Sequence, residues 1–189
     1  KNLEEHFSGL PFNVAEENLQ ARIRANILMS FSNKFGYVLL NTSNKSEISV
    51  GYGTLYGDIT GAISVIGDVY KTDIYRIASY INREREIIPK NIIDKVPSAE
   101  LRENQKDTDS LPPYEILDNI LFHYIELEYS YNDLIEKGFD KSTVEYVLNL
   151  INKNEFKRYQ SPPILRISPK AFGPGKHIPL VANFDFMYK

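Results

Sequence analysis

The sequence holds no cysteine, and only three histidines among its 189 residues. Disulfides, thiolate metal sites and a cysteine nucleophile are therefore excluded from this chain. His6, His123 and His177 lie far apart and show no metal-ligand spacing. No apolar run approaches the roughly 18 residues that mark a membrane span, which reads as a soluble protein with the cytoplasm as its default compartment. Long basic blocks are missing as well. With 22 basic against 25 acidic residues the chain is mildly acidic, which weakens any reading built on attraction to nucleic-acid phosphates. The opening Lys1-Asn-Leu-Glu-Glu5 has neither an initiating methionine nor signal-peptide character, so a fragment or a processed piece is expected.

What remains suits one α/β domain with a helical extension, long enough to bury a sizeable core. Its centre is Tyr37-Val-Leu-Leu-Asn-Thr-Ser-Asn-Lys-Ser-Glu47. Tyr37 to Leu40 reads as a short strand buried on both faces. A polar turn follows, with Ser43 or Ser46 as cap of a helix that carries Glu47. That order places Thr42 and Glu47 just beyond the carboxyl end of a strand, where open α/β sheets bind ligands. Gly51, Gly53 and Gly57, with Tyr52 and Tyr56 between them, suit either plain turns or backbone brought close to a flat or phosphorylated ligand.

Ahead of this centre, Gly9 and Pro11 break an approach segment, and a helix is predicted over 16–34. Its apolar stripe is Leu19, Ile23, Ile27 and Phe31. Asn18, Arg22 and Asn26 run beside it, suited to a bound carboxylate or phosphate or simply to a solvated face. Beyond the centre, Ala62 to Ile66 reads as a second strand. A helix over 70–82 follows, burying Tyr70, Ile74, Ile77, Ala78 and Ile81. Lys71 falls in its first turn, where the helix dipole disfavours a cation. Either an anion held by Lys71 and nearby N–H groups reverses that penalty, or Lys71 is a tolerated surface lysine. Pro89 interrupts a turn and short helix, and the polar stretch from Pro97 to Pro113 reads as a mobile flap.

Three helices are predicted next, over 114–128, 132–137 and 140–152. Leu117, Leu121, Tyr124 and Ile125 face inward from the first, and Val144, Val147, Leu148 and Ile151 from the last. The turn at Gly138-Phe139-Asp140 imitates a helix-turn-helix, but Glu145, Asn149 and Lys153 make a poor groove-reading face. Residues 154–189 carry five prolines, together with Gly173 and Gly175, and read as an irregular tail wrapped on a surface.

Seven segments stand in a familiar order: Glu17-Asn-Leu-Gln-Ala-Arg-Ile-Arg24, Asn44-Lys-Ser-Glu47 with Gly51 to Asp58, Lys71-Thr72, Pro97-Ser-Ala-Glu-Leu-Arg102, Asp109-Ser-Leu-Pro-Pro-Tyr-Glu115, Asn154-Glu-Phe-Lys-Arg158 and Pro169-Lys-Ala-Phe-Gly173. Over about residues 10–175 the chain resembles the synthetase domain of NAD synthetases, closest to the glutamine-dependent form. The resemblance implies an adenine-nucleotide α-hydrolase-like, Rossmann-like three-layer fold, here truncated. Residues 1–112 form its α/β part and flap, and 113–189 its helices and tail.

The activity implied is ATP-dependent amidation of deamido-NAD to NAD, with Mg2+ and with ammonia that is free or drawn from glutamine. Thr42, Lys71 and Ser98 match ATP-binding positions. Asn18, Arg22, Tyr52, Gly53, Thr54, Leu55 and Lys157 match deamido-NAD contacts. Glu47 matches a residue that binds magnesium in the short form and the dinucleotide in the long form. Leu55 stands where the short form has lysine. The family's Ser-Gly-Gly-x-Asp-Ser loop is missing, and Ser8-Gly9-Leu10-Pro11 lacks its second glycine and its aspartate. A chain without that loop, and without a glutaminase domain, is expected to be inactive by itself. A homo-oligomer is expected, and no membrane or nucleic-acid partner. The alternatives are another ligase of this fold, resembling GMP synthetase, or a non-catalytic nucleotide-binding or DNA-binding module.

Overall fold

A computed structural model describes residues 3–172 and 176–180. A one-turn helix α1 (Glu4–Phe7) precedes the long helix α2 (Val14–Phe35). The start of α2 is a capping box: Asn13 Oδ1 accepts from Ala15 N at 2.8 Å, and Asn13 N donates to Glu16 Oε2 at 2.9 Å. Gly36 ends the helix in the left-handed region at φ 68°. The predicted stripe exists, but its burial does not. Ile23, Ile27 and Phe31 are 48%, 52% and 54% exposed, while the buried positions are Ala21 and Ala25. Small residues let α2 lie close to the loop beneath it. A Cβ built on Gly57 would stand 3.0 Å from the Ala21 methyl.

Strand β1 (Leu40–Asn41) pairs in parallel with β2 (Ile63–Ser64), in register Leu40 with Ile63 and Asn41 with Ser64. Both are shorter than the sequence suggests, and Tyr37, Val38 and Leu40 are exposed rather than buried on two faces. Double burial needs a layer on each side of the sheet, and the described residues do not cover β1 that way. The crossover between the strands contains α3 (Lys45–Val50). After β2 comes α4 (Lys71–Ile81), which buries Ala78 but leaves Ile77 and Ile81 exposed, against expectation. Pro89 caps α5 (Lys90–Asp94).

The polar stretch then returns through a 3-10 turn (Asp107–Asp109) to α6 (Tyr114–Leu121). The helix expected to run on to Glu128 widens into a π turn at Phe122–Glu126. Helices α7 (Tyr131–Glu136) and α8 (Lys141–Lys153) follow, capped by the side chains of Ser130 and Asp140. Leu117, Ile120, Leu121, Ile125, Leu134, Val144, Val147 and Ile151 are all fully buried between α6, α7 and α8. The periodicity predicts this core except for Ile120 and Leu134, which join it, while the predicted Tyr124 is only partly buried.

The final segment is irregular but does not merely lie on a surface. It forms the short helix α9 (Glu155–Arg158), and Ile164 then bridges Ser64 in parallel, adding to the sheet beside β2. Further on, Ile167 N and Ser168 N donate to Asp68 Oδ2 at 2.8 and 2.6 Å. Lys45, fully buried, pairs with Asp68 and Glu126 and donates to Ser168 Oγ and Lys170 O. A buried lysine needs that many partners to offset its lost hydration. Positions 173–175 and 181–189 of the expected tail, with Gly173 and Gly175 among them, lie outside the described residues.

Candidate functional site

The site is built where β1 ends. Asn41, buried, spends its side chain on the sheet: its Nδ2 donates to Asp58 O at 2.8 Å, and its Oδ1 accepts from Ser43 N at 3.0 Å. Asn44 then opens α3 with a capping box, accepting from Glu47 N at 3.0 Å and donating its own N–H to Glu47 Oε2 at 3.2 Å. That cap, rather than Ser43 or Ser46, fixes where Glu47 points. Ser46 has another task. Its hydroxyl donates to Asp118 and accepts from Lys71 N at 2.9 Å. Asp118 also accepts from Thr72 N at 2.9 Å and Thr72 Oγ1 at 2.8 Å, so one buried carboxylate on α6 holds the starts of α3 and α4 together.

Lys71 and Glu47 meet as a result. Lys71 Nζ stands 3.5 Å from Glu47 Oε1 and 5.4 Å from the centre of the Tyr114 ring. Two of the N–H groups foreseen for an anion, those of Lys71 and Thr72, are already taken by Ser46 and Asp118. What Lys71 offers a ligand is its ammonium. Burial pushes the Glu47 carboxyl above its ordinary value, and the Lys71 charge opposes that shift without cancelling it. A half-buried carboxylate beside a lysine, just past a strand end, suits a cationic or metal-bearing ligand part next to an anionic one.

The glycine loop supplies the other half. Gly51 ends α3 in the left-handed region at φ 67°, so close to Asn154 that an added Cβ would fall 2.3 Å from that side chain's Cβ. Lys157 Nζ donates to the carbonyls of Gly51 and Gly53 at 2.7 and 3.0 Å, and burial lowers its pKa from the ordinary value. From α2, Asn18 Oδ1 accepts from Thr54 Oγ1 at 2.8 Å, and Arg22 Nε donates to Leu55 O at 3.2 Å. Tyr56 sits at φ 63°, a left-handed setting rare for an aromatic residue, and its hydroxyl donates to Gln160. Asn18, Arg22, Tyr52, Gly53, Thr54, Leu55 and Lys157 thus share one assembly, and a narrow crevice joins Glu47, Gly51, Tyr52 and Lys157.

Two predicted residues stand apart. Thr42 is exposed directly after β1, and Ser98 lies in a separate hollow with Lys95, Glu100, Arg102 and Lys106, its hydroxyl accepting from Glu100 N at 3.1 Å. Sequence reasoning missed Asp107, which accepts hydrogen bonds from Tyr52 Oη at 3.0 Å and Tyr114 Oη at 2.7 Å and is only 4% exposed. An aspartate inside a polar run looks solvated, and no spacing marks it otherwise. Asp118 was hidden the same way, as one polar residue within an apolar helix. Among the described residues no group of three or more acidic or histidine side chains forms a metal centre by itself. No described helix is long and apolar enough to cross a membrane.

Residues 1–161 match the family model for NAD synthase. The chain is 48% identical over 178 residues to the glutamine-dependent NAD(+) synthetase of Synechocystis sp., a match covering 94% of this chain and 32% of that protein. It is 52% identical over 180 residues to the protein of the same name from Thermotoga maritima, covering 94% of this chain and 31% of the relative. The chain thus spans about a third of the length of these relatives. A crystal structure of a glutamine-dependent NAD(+) synthetase from Cytophaga hutchinsonii superposes with a TM-score of 0.71 at 26% identity, over 99% of this chain and 32% of that one. The architecture shared with it is the Rossmann-like, adenine-nucleotide α-hydrolase-like α/β fold. The residues described here supply its small parallel sheet and surrounding helices.

Proposed function

The chain belongs to the NAD synthase family, and from that premise we propose that it carries much of the site at which deamido-NAD is amidated to NAD with ATP and ammonia. The observation that carries this reading is the Glu47–Lys71 pair at the end of β1, flanked by a glycine loop tied down by Asn18, Arg22 and Lys157. A carboxylate is a poor electrophile. Attack of the nicotinate carboxylate on the α-phosphorus of ATP expels pyrophosphate and leaves an acyl-adenylate. Ammonia then adds to that carbonyl, a proton is lost, and AMP departs as the amide forms.

In this scheme Lys71 neutralises ATP phosphate charge, with Thr42 and Ser98 as further nucleotide contacts, and Tyr52–Leu55, Asn18, Arg22 and Lys157 hold deamido-NAD. Magnesium binds through one or two carboxylates completed by substrate phosphates. Glu47 offers such a carboxylate, and this donor fits a metal delivered with ATP, which would offset the charge on the phosphates. Most of these contacts come from the α/β part and flap, over 1–112, and Lys157 comes from the helical part that follows. A glutaminase domain of the complete protein supplies ammonia. The complete protein acts as a homo-oligomer in this reading, and the cytoplasm is the compartment of action. The test is to incubate the complete protein with ATP, magnesium, deamido-NAD and ammonia. Equal amounts of NAD and pyrophosphate are expected, and absence of NAD refutes the reading.

A further inference from the structure

In the segment 97–110 one residue alone is buried, and it is Asp107. The rest of that stretch is held by its own polar groups, by α2, and by Tyr146 of α8, whose hydroxyl donates to Ser110 O at 2.7 Å. Asp107 N donates to Pro97 O at 3.0 Å, Leu101 N to Gln105 Oε1 at 2.9 Å, and Gln20 Nε2 to Leu101 O at 3.1 Å. Asp107 points the other way, into the site. Its two carboxyl oxygens serve two different tyrosines, Oδ1 taking the Tyr52 hydroxyl and Oδ2 the Tyr114 hydroxyl. Tyr52 stands in the glycine loop whose carbonyls Lys157 holds, and the Tyr114 ring lies beneath the Lys71 ammonium. A single carboxylate therefore grips one member of the loop assembly and one member of the Glu47–Lys71 assembly. The Tyr114 bond is buried and the Tyr52 bond partly so, where hydrogen bonds are stronger than in water and direction is enforced.

We infer that Asp107 is a positioning residue that holds the dinucleotide side and the phosphate side of the site in one register. This rests on the amidation reading above. It touches neither ligand; it acts through the tyrosines. Removing the Tyr52 hydroxyl loosens only the glycine loop, removing the Tyr114 hydroxyl loosens only the ring under Lys71, and replacing Asp107 loosens both. A residue that merely anchors the polar segment produces no such division.

The experiment is steady-state kinetics of the complete protein, varying ATP and deamido-NAD separately, beside limited proteolysis within 98–110. Tyr52→Phe is expected to raise the KM for deamido-NAD about tenfold and to leave that for ATP within about twofold. Tyr114→Phe is expected to do the reverse. Asp107→Asn is expected to raise both, to lower kcat at least as much, and to expose 98–110 to protease; misplacement of reacting groups by even 1 Å can cost up to ~10²-fold. Three variants with unchanged KM values overturn the proposal, as does an equal rise of both constants in each Phe variant. If Asp107→Asn does not fold, the two Phe variants decide alone, since they keep the rings and lose one hydroxyl each. A wild-type protein that makes no NAD refutes the amidation reading. Normal wild-type turnover without the division refutes only the inference.

Discussion

Helices α2 and α8 both carry an apolar stripe, every fourth residue on α2 and at i, i+3, i+4 and i+7 on α8, yet one stripe faces solvent and the other is sealed. On α8, Val144, Val147, Leu148 and Ile151 are at most 1% exposed, packed against α6 and α7. On α2, Leu19, Ile23, Ile27 and Phe31 are 36% to 54% exposed, and the buried positions are Ala21 and Ala25. Periodicity fixes which residues share a face. It does not say whether anything lies opposite that face. For α8 the partners are α6, α7 and α9 beside it in the chain together with α3 (Lys45–Val50) from far upstream, so its face is covered on several sides. For α2 the near partner is the glycine loop, reached by small side chains, and what that contact positions is Asn18 and Arg22 rather than a core.

The sharpest way to break the comparison is to delete equal volumes from the two regions of this 189-residue chain. Leu121→Ala opens a cavity where the side chain is fully buried. The expected cost is about 2–5 kcal/mol, read as a lower midpoint in denaturant unfolding. Ile27→Ala removes a similar volume from a half-exposed position, and the expected change is within about 0.5 kcal/mol. A loss at Ile27 as large as that at Leu121 would mean that the α2 stripe is covered in solution, and the contrast would fall.

How much of this was legible in the sequence follows the same division. Helices α2, α4, α7 and α8 lie within about two residues of the spans that periodicity predicts; Gly36 and Asp140 were legible as their ends, whereas the Asn13 and Ser130 caps were not. Thr42, Glu47 and the glycine loop were legible as a strand-end constellation and Lys71 as a separate candidate for an anion; the structure brings Glu47 and Lys71 within 3.5 Å and leaves Thr42 exposed apart from them. The buried polar residues were not legible. Lys45 lies inside a polar turn, Asp107 inside a polar loop and Asp118 on an apolar helix; each is buried because partners from distant segments satisfy it. Sequence pattern reports local preference, and such partners are set by tertiary pairing. The C-terminal segment misled for the same reason: prolines suggested a surface wrap, whereas Ile164 extends the sheet and Ser168 completes the Lys45 network.

Glu47 concentrates the contrast between a region built for stability and one built for a ligand. Its carboxyl is raised above the ordinary value chiefly by burial. A carboxyl raised in the folded state favours folding when protonated, so that contribution is lost as pH climbs from the ordinary glutamate value through the raised one. Gln keeps the capping geometry and has no charge to bury. The most direct measurement is therefore to compare wild type with Glu47→Gln in the complete protein, recording NAD turnover and melting temperature at neutral pH and again at acidic pH. The account predicts that the variant loses on the order of 10²-fold or more in turnover while melting at a higher temperature at neutral pH, an advantage that shrinks on acidification. Near-normal turnover in Glu47→Gln would contradict it, and would remove Glu47 from the site.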